Sequence, residues 1–93
     1  MVVGVLTLEV FFPYARSLKD KRQALKGFKD RVRSRLNVSL AEVEFQDKWQ
    51  RARIGVAAVN NSRAVVEELL ARVLREAEKT EGGQITEHRI EFY

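Results

Sequence analysis

The chain has 93 residues, of which 45% are hydrophobic and 32% are charged, and its formal net charge is +4. That length accommodates one domain with one hydrophobic core, so we expect residues 1–93 to form a single domain. Cysteine is absent, which excludes disulfides, zinc–thiolate sites, iron–sulfur clusters and a thiol nucleophile.

The apolar start of the chain, residues 1–12, bears on where the protein is found. It has neither a basic leader nor a small-residue cleavage site, so we interpret it as a strand rather than a signal peptide. No apolar run approaches the roughly 20 residues that a membrane-spanning helix needs. The sequence therefore predicts a cytoplasmic protein without a membrane partner.

Alternation and helical spacing predict the first two elements. Residues 2–12 form a strand with one buried face, made of Val2, Gly4, Leu6, Leu8, Val10 and Phe12. Pro13 ends that strand, and Ser17 followed by Asp20 predicts a helix cap. The helix then carries apolar residues at helical spacing up to a stop at Asn37, namely Leu18, Leu25, Phe28, Val32 and Leu36.

The rest of the chain predicts a hairpin, a second helix and a last strand. Residues 38–45 and 51–59 are strands joined by the polar tip QDKWQ. The turn NNS at 60–62 opens a helix that ends at Gly82 and Gly83, and residues 84–93 form the last strand. The order β-α-β-β-α-β predicts an α+β, ferredoxin-like fold, in which a four-stranded antiparallel sheet carries both helices on one face.

Positive charge is concentrated in the first helix. Residues 16–35 carry nine basic and two acidic side chains, a net +7, so the remaining chain sums to −3. Five of these cations share one flank, here called the basic row: Lys19, Arg22, Lys26, Lys29 and Arg33. Such a row indicates a surface that binds a polyanion by displacing counterions from phosphates. The alternatives are a charged face that serves solubility, or cations that pair with acids elsewhere in the fold.

The other charged positions of the two helices give a comparison. Arg31 and Arg35 fall on the opposite flank of the first helix, and Lys21 falls near the apolar boundary, where we expect its ammonium to reach solvent. In the second helix, by contrast, basic and acidic side chains are interspersed. Their spacing predicts that Arg72 pairs with both Glu68 and Glu76.

The hairpin tip adds a second candidate contact with nucleic acid. Trp49 is the only tryptophan, and Lys48, Arg51 and Arg53 flank it. An exposed indole among cations can stack on an unpaired base. Alternatively, Trp49 covers the sheet edge or packs in a subunit contact.

One face of the predicted sheet lacks charge at its centre. The odd positions of the two central strands give a small, apolar patch: Val3, Val5, Thr7, Gly55, Ala57 and Val59. Because a solvated sheet face is usually more polar, we expect a second copy of the chain to cover it, which predicts a homodimer. The aliphatic centre also argues against a standard RNA recognition motif, which stacks bases there on aromatic residues.

No residue pattern indicates an enzyme, a metal or a cofactor. His88 stands alone, without a second ligand at a suitable spacing, and no glycine-rich loop is placed to hold a phosphate. Acylphosphatase shares the predicted fold and length, but the loop FFPYARS has only Arg16 and none of the glycines that such an active site needs. We therefore expect a protein that is not an enzyme.

Three stretches, SLKDKR, NVSLAEV and DKWQRA, resemble the YlxP-like family of small bacterial proteins, which is classed as of unknown function. The resemblance runs along almost the full chain and implies the ferredoxin-like fold. It also implies a link to ribosomes or RNA, because such genes often lie beside those for a translation initiation factor and a ribosome-binding factor. No active site comes with it. The expected function is a non-enzymatic RNA- or ribosome-associated accessory protein; the alternative is a homo-oligomeric interaction module with an acidic protein partner.

Overall fold

Six elements follow one another in the order β-α-β-β-α-β. The structure, a computed structural model, describes all of residues 1–93. The elements are β1 (Val2–Phe11), α1 (Leu18–Arg35), β2 (Ser39–Glu44), β3 (Arg51–Asn60), α2 (Arg63–Glu78) and β4 (Gln84–Phe92).

The four strands form one antiparallel sheet in the order β2-β3-β1-β4. β1 and β3 are central, and β2 and β4 are the two edges. Leu6 lies opposite Val56 on one side and Ile90 on the other, and the β1–β4 register shifts once, between Glu9 and Val10. The predicted ferredoxin-like fold is confirmed.

The core lies between the sheet and the two helices. Even-numbered residues of β1 and β3 point toward the helices, and Leu6, Leu8 and Ile54 among them are 0% exposed. Each such side chain contributes about 1.5–3 kcal/mol of transfer free energy when it leaves water. The odd-numbered residues of the same strands form the opposite side of the sheet, here called the open face.

α2 lies close to β1 because glycine occupies position 4. A Cβ built on Gly4 would lie 2.4 Å from Cγ1 of Val66 and 2.9 Å from Cδ1 of Leu70. α1 lies beside it, over the β2 side of the sheet, where Arg33 donates to the carbonyl of Leu40 at 3.0 Å. The two helices therefore cover one face of the sheet and leave the open face free.

The helix boundaries follow from side-chain caps and burial. Ser17 Oγ accepts from the backbone N–H of Asp20 at 3.1 Å, as the sequence predicts, and Ser62 caps α2 in the same way. α1 ends at Arg35, slightly before the predicted stop at Asn37. The reason is Leu36, which adopts extended backbone angles and is 6% exposed, so the chain leaves the helix there to bury it.

Candidate nucleic-acid interface

The basic row runs along α1 beside the edge strand β2. Helical periodicity aligns the five side chains at spacings of three and four residues. Arg33, the last of them, reaches the β2 carbonyl of Leu40, whereas Arg31 faces α2. The row therefore lies along the outer side of the molecule, away from α2.

Three of the five cations in the row have no acidic partner. Lys19 and Arg22 are exposed, Lys29 is partly exposed, and none of them forms an ion pair. Lys26 pairs with Asp30 at 2.6 Å, but both side chains are largely exposed. Exposed pairs of this kind contribute about 0–1 kcal/mol and break readily.

The opposite flank of α1 is neutralised by α2. Arg31 and Arg35 donate to the two carboxylate oxygens of Glu76 at 3.1 and 3.2 Å, and Lys79 lies 3.5 Å away. Burial raises the pKa of Glu76, but the hydrogen bond from Arg31 and the charges of Lys79 and Arg35 outweigh it, so that the pKa is lowered from its ordinary value of 4.5. These contacts join the two helices and remove two cations from the exposed surplus.

The pairs predicted within α2 are wrong. Arg72 forms no ion pair, Glu68 pairs with Arg75 at 3.1 Å, and Glu76 is taken by the arginines of α1. The spacing rule considers one helix alone, and a guanidinium from a packed neighbour competes for the same carboxylate.

Lys21 does not reach solvent, so that prediction is also wrong. Its side chain is 0% exposed, and its ammonium donates to Glu42 Oε2 at 2.9 Å and to the carbonyls of Phe45 and Arg51 at 2.7 and 3.1 Å. Three acceptors match the three N–H donors of a lysine, which is the condition for burying its charge. Lys21 thus joins α1 to both strands of the hairpin at the base of its tip.

Phe45 takes an unusual backbone conformation at that point. Its φ angle of 65° lies in the left-handed region, which non-glycine residues seldom adopt. Its carbonyl accepts from Lys21, and its ring packs under the guanidinium groups of Arg51 and Arg53, whose Cζ atoms lie 4.0 and 5.2 Å from the ring centroid. These contacts offset the local strain.

Arg51 and Arg53 are engaged within the protein. Arg51 donates to Glu9, and Arg53 lies 2.9 Å from Glu44 and 3.5 Å from Glu9. The hydrogen bond from Arg51, followed by the charges of both arginines, holds the pKa of Glu9 below its ordinary value. Both arginines belong to the open face, so the structure separates them from the basic row, and two carboxylates offset their charge.

Trp49 and Lys48 remain available at the hairpin tip, residues 46–50. Lys48 is exposed and forms no ion pair, and Trp49 is 54% exposed. The indole lines a shallow groove of about 440 Å³ together with Phe11, Asp47, Lys48, Gln50 and Arg51. No part of the same chain covers the larger part of the indole.

The sequence bears on the neighbouring β1–α1 loop, residues 12–17, only as a candidate phosphatase loop, and it does not place this loop beside the hairpin tip. Gln50 ties this loop to the tip: its carbonyl accepts from the N–H of Phe12 at 2.8 Å, and its Nε2 donates to the Pro13 carbonyl at 3.0 Å. Tyr14 in the loop is 83% exposed, and Arg16 is exposed without an ion pair. The ring of Tyr14 lines a separate groove with Ala24, Glu81 and Gly82, so only the backbone of this loop is shown to contact the tip.

The open face is apolar over one half only. Val3, Val5, Thr7, Gly55 and Ala57 are partly exposed there and Val59 is 52% exposed. Val43 of β2 adds to this half, since its Cγ1 lies 3.2 Å from where a Cβ of Gly55 would stand.

The other half of the open face is charged, in part by Glu9 and Arg53 of the central strands. A polar pocket of about 110 Å³ lies there, lined by Thr7, Glu9, Arg53, Glu87 and Arg89. β4 adds further charge, because it places Glu87, Arg89 and Glu91 opposite Glu9, Thr7 and Val5.

No group of three or more histidine, cysteine or carboxylate residues is placed to hold a metal ion. None of the helices has the length and hydrophobicity that crossing a membrane requires.

The fold and topology place this chain among the ferredoxin-like α+β proteins. Residues 3–90 match the family described as "Protein of unknown function (DUF503)", and the chain belongs to that family. It is 44% identical over 73 residues to "Uncharacterized protein YlxP" of Bacillus subtilis (strain 168), an alignment that covers 78% of this chain and 79% of the relative.

Solved structures of unrelated sequence share the fold. The de novo designed protein Foldit4 superposes with a TM-score of 0.59 and 16% identity, covering 100% of this chain and 97% of the design. A C-terminal segment of the alpha subunit of aIF2 from Pyrococcus abyssi superposes with a TM-score of 0.54 and 19% identity, covering 97% of this chain and 48% of that one. At these identities the likeness establishes the fold alone.

Proposed function

We propose that this protein is a non-enzymatic, RNA- or ribosome-associated accessory protein that binds phosphates through the basic row of α1. The observation that carries the proposal is that Lys19, Arg22 and Lys29 share one flank and form no ion pair. Lys26 and Arg33 complete the row: Lys26 pairs with Asp30 on the surface, and Arg33 makes one partly buried hydrogen bond to the Leu40 carbonyl.

The energetic setting favours binding over a role in solubility. Like charges three and four residues apart destabilise a helix by a few tenths of a kcal/mol per pair. α1 tolerates that cost because Leu25, Phe28 and Val32 anchor it in the core. Alternating basic and acidic side chains, such as those that form ion pairs along α2, would serve solubility equally well. A phosphate backbone is the ligand that gains from an uncompensated row, since each contact releases counterions.

The direct test is the salt dependence of binding to ribosomal particles or to structured RNA. If all five cations of the row contact phosphates, the log–log plot of affinity against salt concentration has a slope of roughly −3.5 to −4.5. Absence of binding at about 50 mM salt, where electrostatic contacts are strong, would contradict the proposal.

A second candidate function is an interaction module whose basic row meets an acidic protein segment. The observation that favours it is the edge strand β2 beside the row, since its outer backbone edge has no neighbouring strand. An extended acidic peptide can add to such an edge through main-chain hydrogen bonds. A pull-down from nuclease-treated lysate separates the two: protein partners that survive nuclease favour the module, and loss of all partners favours RNA.

We propose in addition that two copies pair through the apolar half of the open face. Val43 and Val59 are about half exposed, and Val3, Val5 and Ala57 lie between them on the same face. Burying a few hundred Å² at about 25 cal/mol per Å² favours pairing by several kcal/mol before the cost of association. A dimer also presents two basic rows to one polyanion, which raises avidity.

A further inference from the structure

We infer that the hairpin tip, supported by the β1–α1 loop, forms a stacking site for an unpaired nucleobase at Trp49. This surface is called the hairpin end below. The inference rests on the proposed binding of RNA phosphates by the basic row and deepens it, because it assigns the target: RNA with single-stranded nucleotides rather than a continuous duplex.

Aromatic surface is concentrated at the hairpin end. Trp49 is 54% exposed and shares its groove with the partly exposed ring of Phe11. Every base has a π face, and one base stacked on an aromatic side chain adds about 5- to 150-fold in affinity with little dependence on sequence. A duplex keeps its bases stacked inside and offers no such face, so these side chains favour a single strand.

The charges around the aromatic groups suit the phosphates on either side of a bound base. Lys48 lies beside Trp49 in sequence and Arg16 lies in the tied loop, and both are exposed without an ion pair. The basic row begins at Lys19, shortly after the loop ends. The groove also offers Asp47, whose carboxylate can accept a hydrogen bond from the edge of a base.

The hairpin end is held in place before any ligand arrives. Gln50 Nε2 donates to the Pro13 carbonyl at 3.0 Å, which fixes the tip against the loop. Lys21 donates to the carbonyls of Phe45 and Arg51, the residues that bracket the tip. A site that is already ordered does not lose conformational entropy when a ligand binds. The hairpin end is therefore suited to binding a flexible single strand.

The test uses the fluorescence of Trp49, which is the only tryptophan of the chain. The full-length protein is titrated at about 50 mM salt with oligoadenylate of about 8 nucleotides, with the same strand annealed to its complement, and with inorganic polyphosphate. We expect the single strand to quench the emission. We expect duplex and polyphosphate to bind the basic row and to leave the emission unchanged. Competition against labelled RNA measures their binding.

Variants separate stacking from charge. Trp49→Ala weakens binding of labelled oligoadenylate by about 5- to 150-fold and leaves polyphosphate binding unchanged, whereas Trp49→Phe retains most of the affinity. The matched control is Tyr93→Ala, because Tyr93 is 72% exposed at the opposite end of the sheet, where its backbone pairs with Val3. That variant binds like the wild type.

Each other outcome overturns the inference. If single strand and polyphosphate bind equally and neither quenches Trp49, the stacking site is wrong while the basic row stands. If Trp49→Ala converts a dimer to a monomer in sedimentation, Trp49 is a subunit contact and not a base platform. If no polyanion binds, the proposed function fails and the inference fails with it.

Discussion

Lys21 shows how a charged residue can specify the position of a whole segment. Its ammonium is buried with one carboxylate and two carbonyls, all supplied by the hairpin. Helical spacing places position 21 near the apolar boundary but contains no information on Glu42, Phe45 or Arg51. The sequence therefore predicts where this residue lies on the helix, and not whether its charge reaches water.

We expect Lys21→Met to destabilise the protein by about 3–5 kcal/mol, because it leaves Glu42 and two carbonyls without their shared partner. Urea unfolding measures the change. The matched control is Lys26→Met, which removes an exposed partner of Asp30 and costs about 0–1 kcal/mol. Equal effects of the two variants would show that Lys21 is not the structural link described here.

At the scale of elements, the ion pairs between α1 and α2 converge on Glu76. This carboxylate joins Arg31 and Arg35 of one helix to the other. The order and type of all six elements follow patterns of period 2 and 3.6, and they were predictable for that reason. The end of α2 was not: it lies at Glu78, before the predicted stop at Gly82 and Gly83. The ion pairs were not, since each partner comes from an element remote in the sequence.

Because the pKa of Glu76 is lowered in the folded protein, its ionised form contributes stability above about pH 4.5, the ordinary value. That contribution is lost as the pH falls through the lowered folded pKa. We expect Glu76→Gln to lower the Tm at neutral pH and to reduce the loss of Tm on acidification.

Thermal unfolding from neutral pH to below pH 4.5 measures this difference, with Glu67→Gln as the control for an exposed carboxylate paired only within its own helix. Parallel Tm–pH curves for wild type and Glu76→Gln would contradict the role given to Glu76.

At the scale of the whole molecule, the surfaces divide into a basic row, a hairpin end and an open face. The sequence predicted the row and the apolar positions of the open face, because each is a pattern along one or two elements. It did not predict that Gln50 ties the β1–α1 loop to the hairpin tip, nor that β4 adds charge to the open face. Both depend on which segments the sheet topology places side by side.

We expect Val5→Glu and Ala57→Glu to yield a folded monomer, since each places a charge within the apolar half of the open face. Sedimentation at about 100 μM measures the oligomeric state. This concentration is high enough to populate a dimer whose free energy of association is only several kcal/mol.

The control for the dimer is Val65→Glu, because Val65 is 43% exposed on α2, away from the open face. That variant keeps the dimer. A monomeric wild type, or a dimer that survives Val5→Glu, would show that this face is not the subunit interface.

The central claim, that the basic row binds RNA phosphates, is tested most directly by comparing salt slopes between two triple variants. One is Lys19→Gln with Arg22→Gln and Lys29→Gln; the other removes three charges from α2 as Arg63→Gln with Arg72→Gln and Arg75→Gln. We predict that the first reduces the slope for structured RNA by about 2–3, from the loss of three phosphate contacts, and that the second leaves it unchanged. Equal slopes for the two variants would contradict the claim.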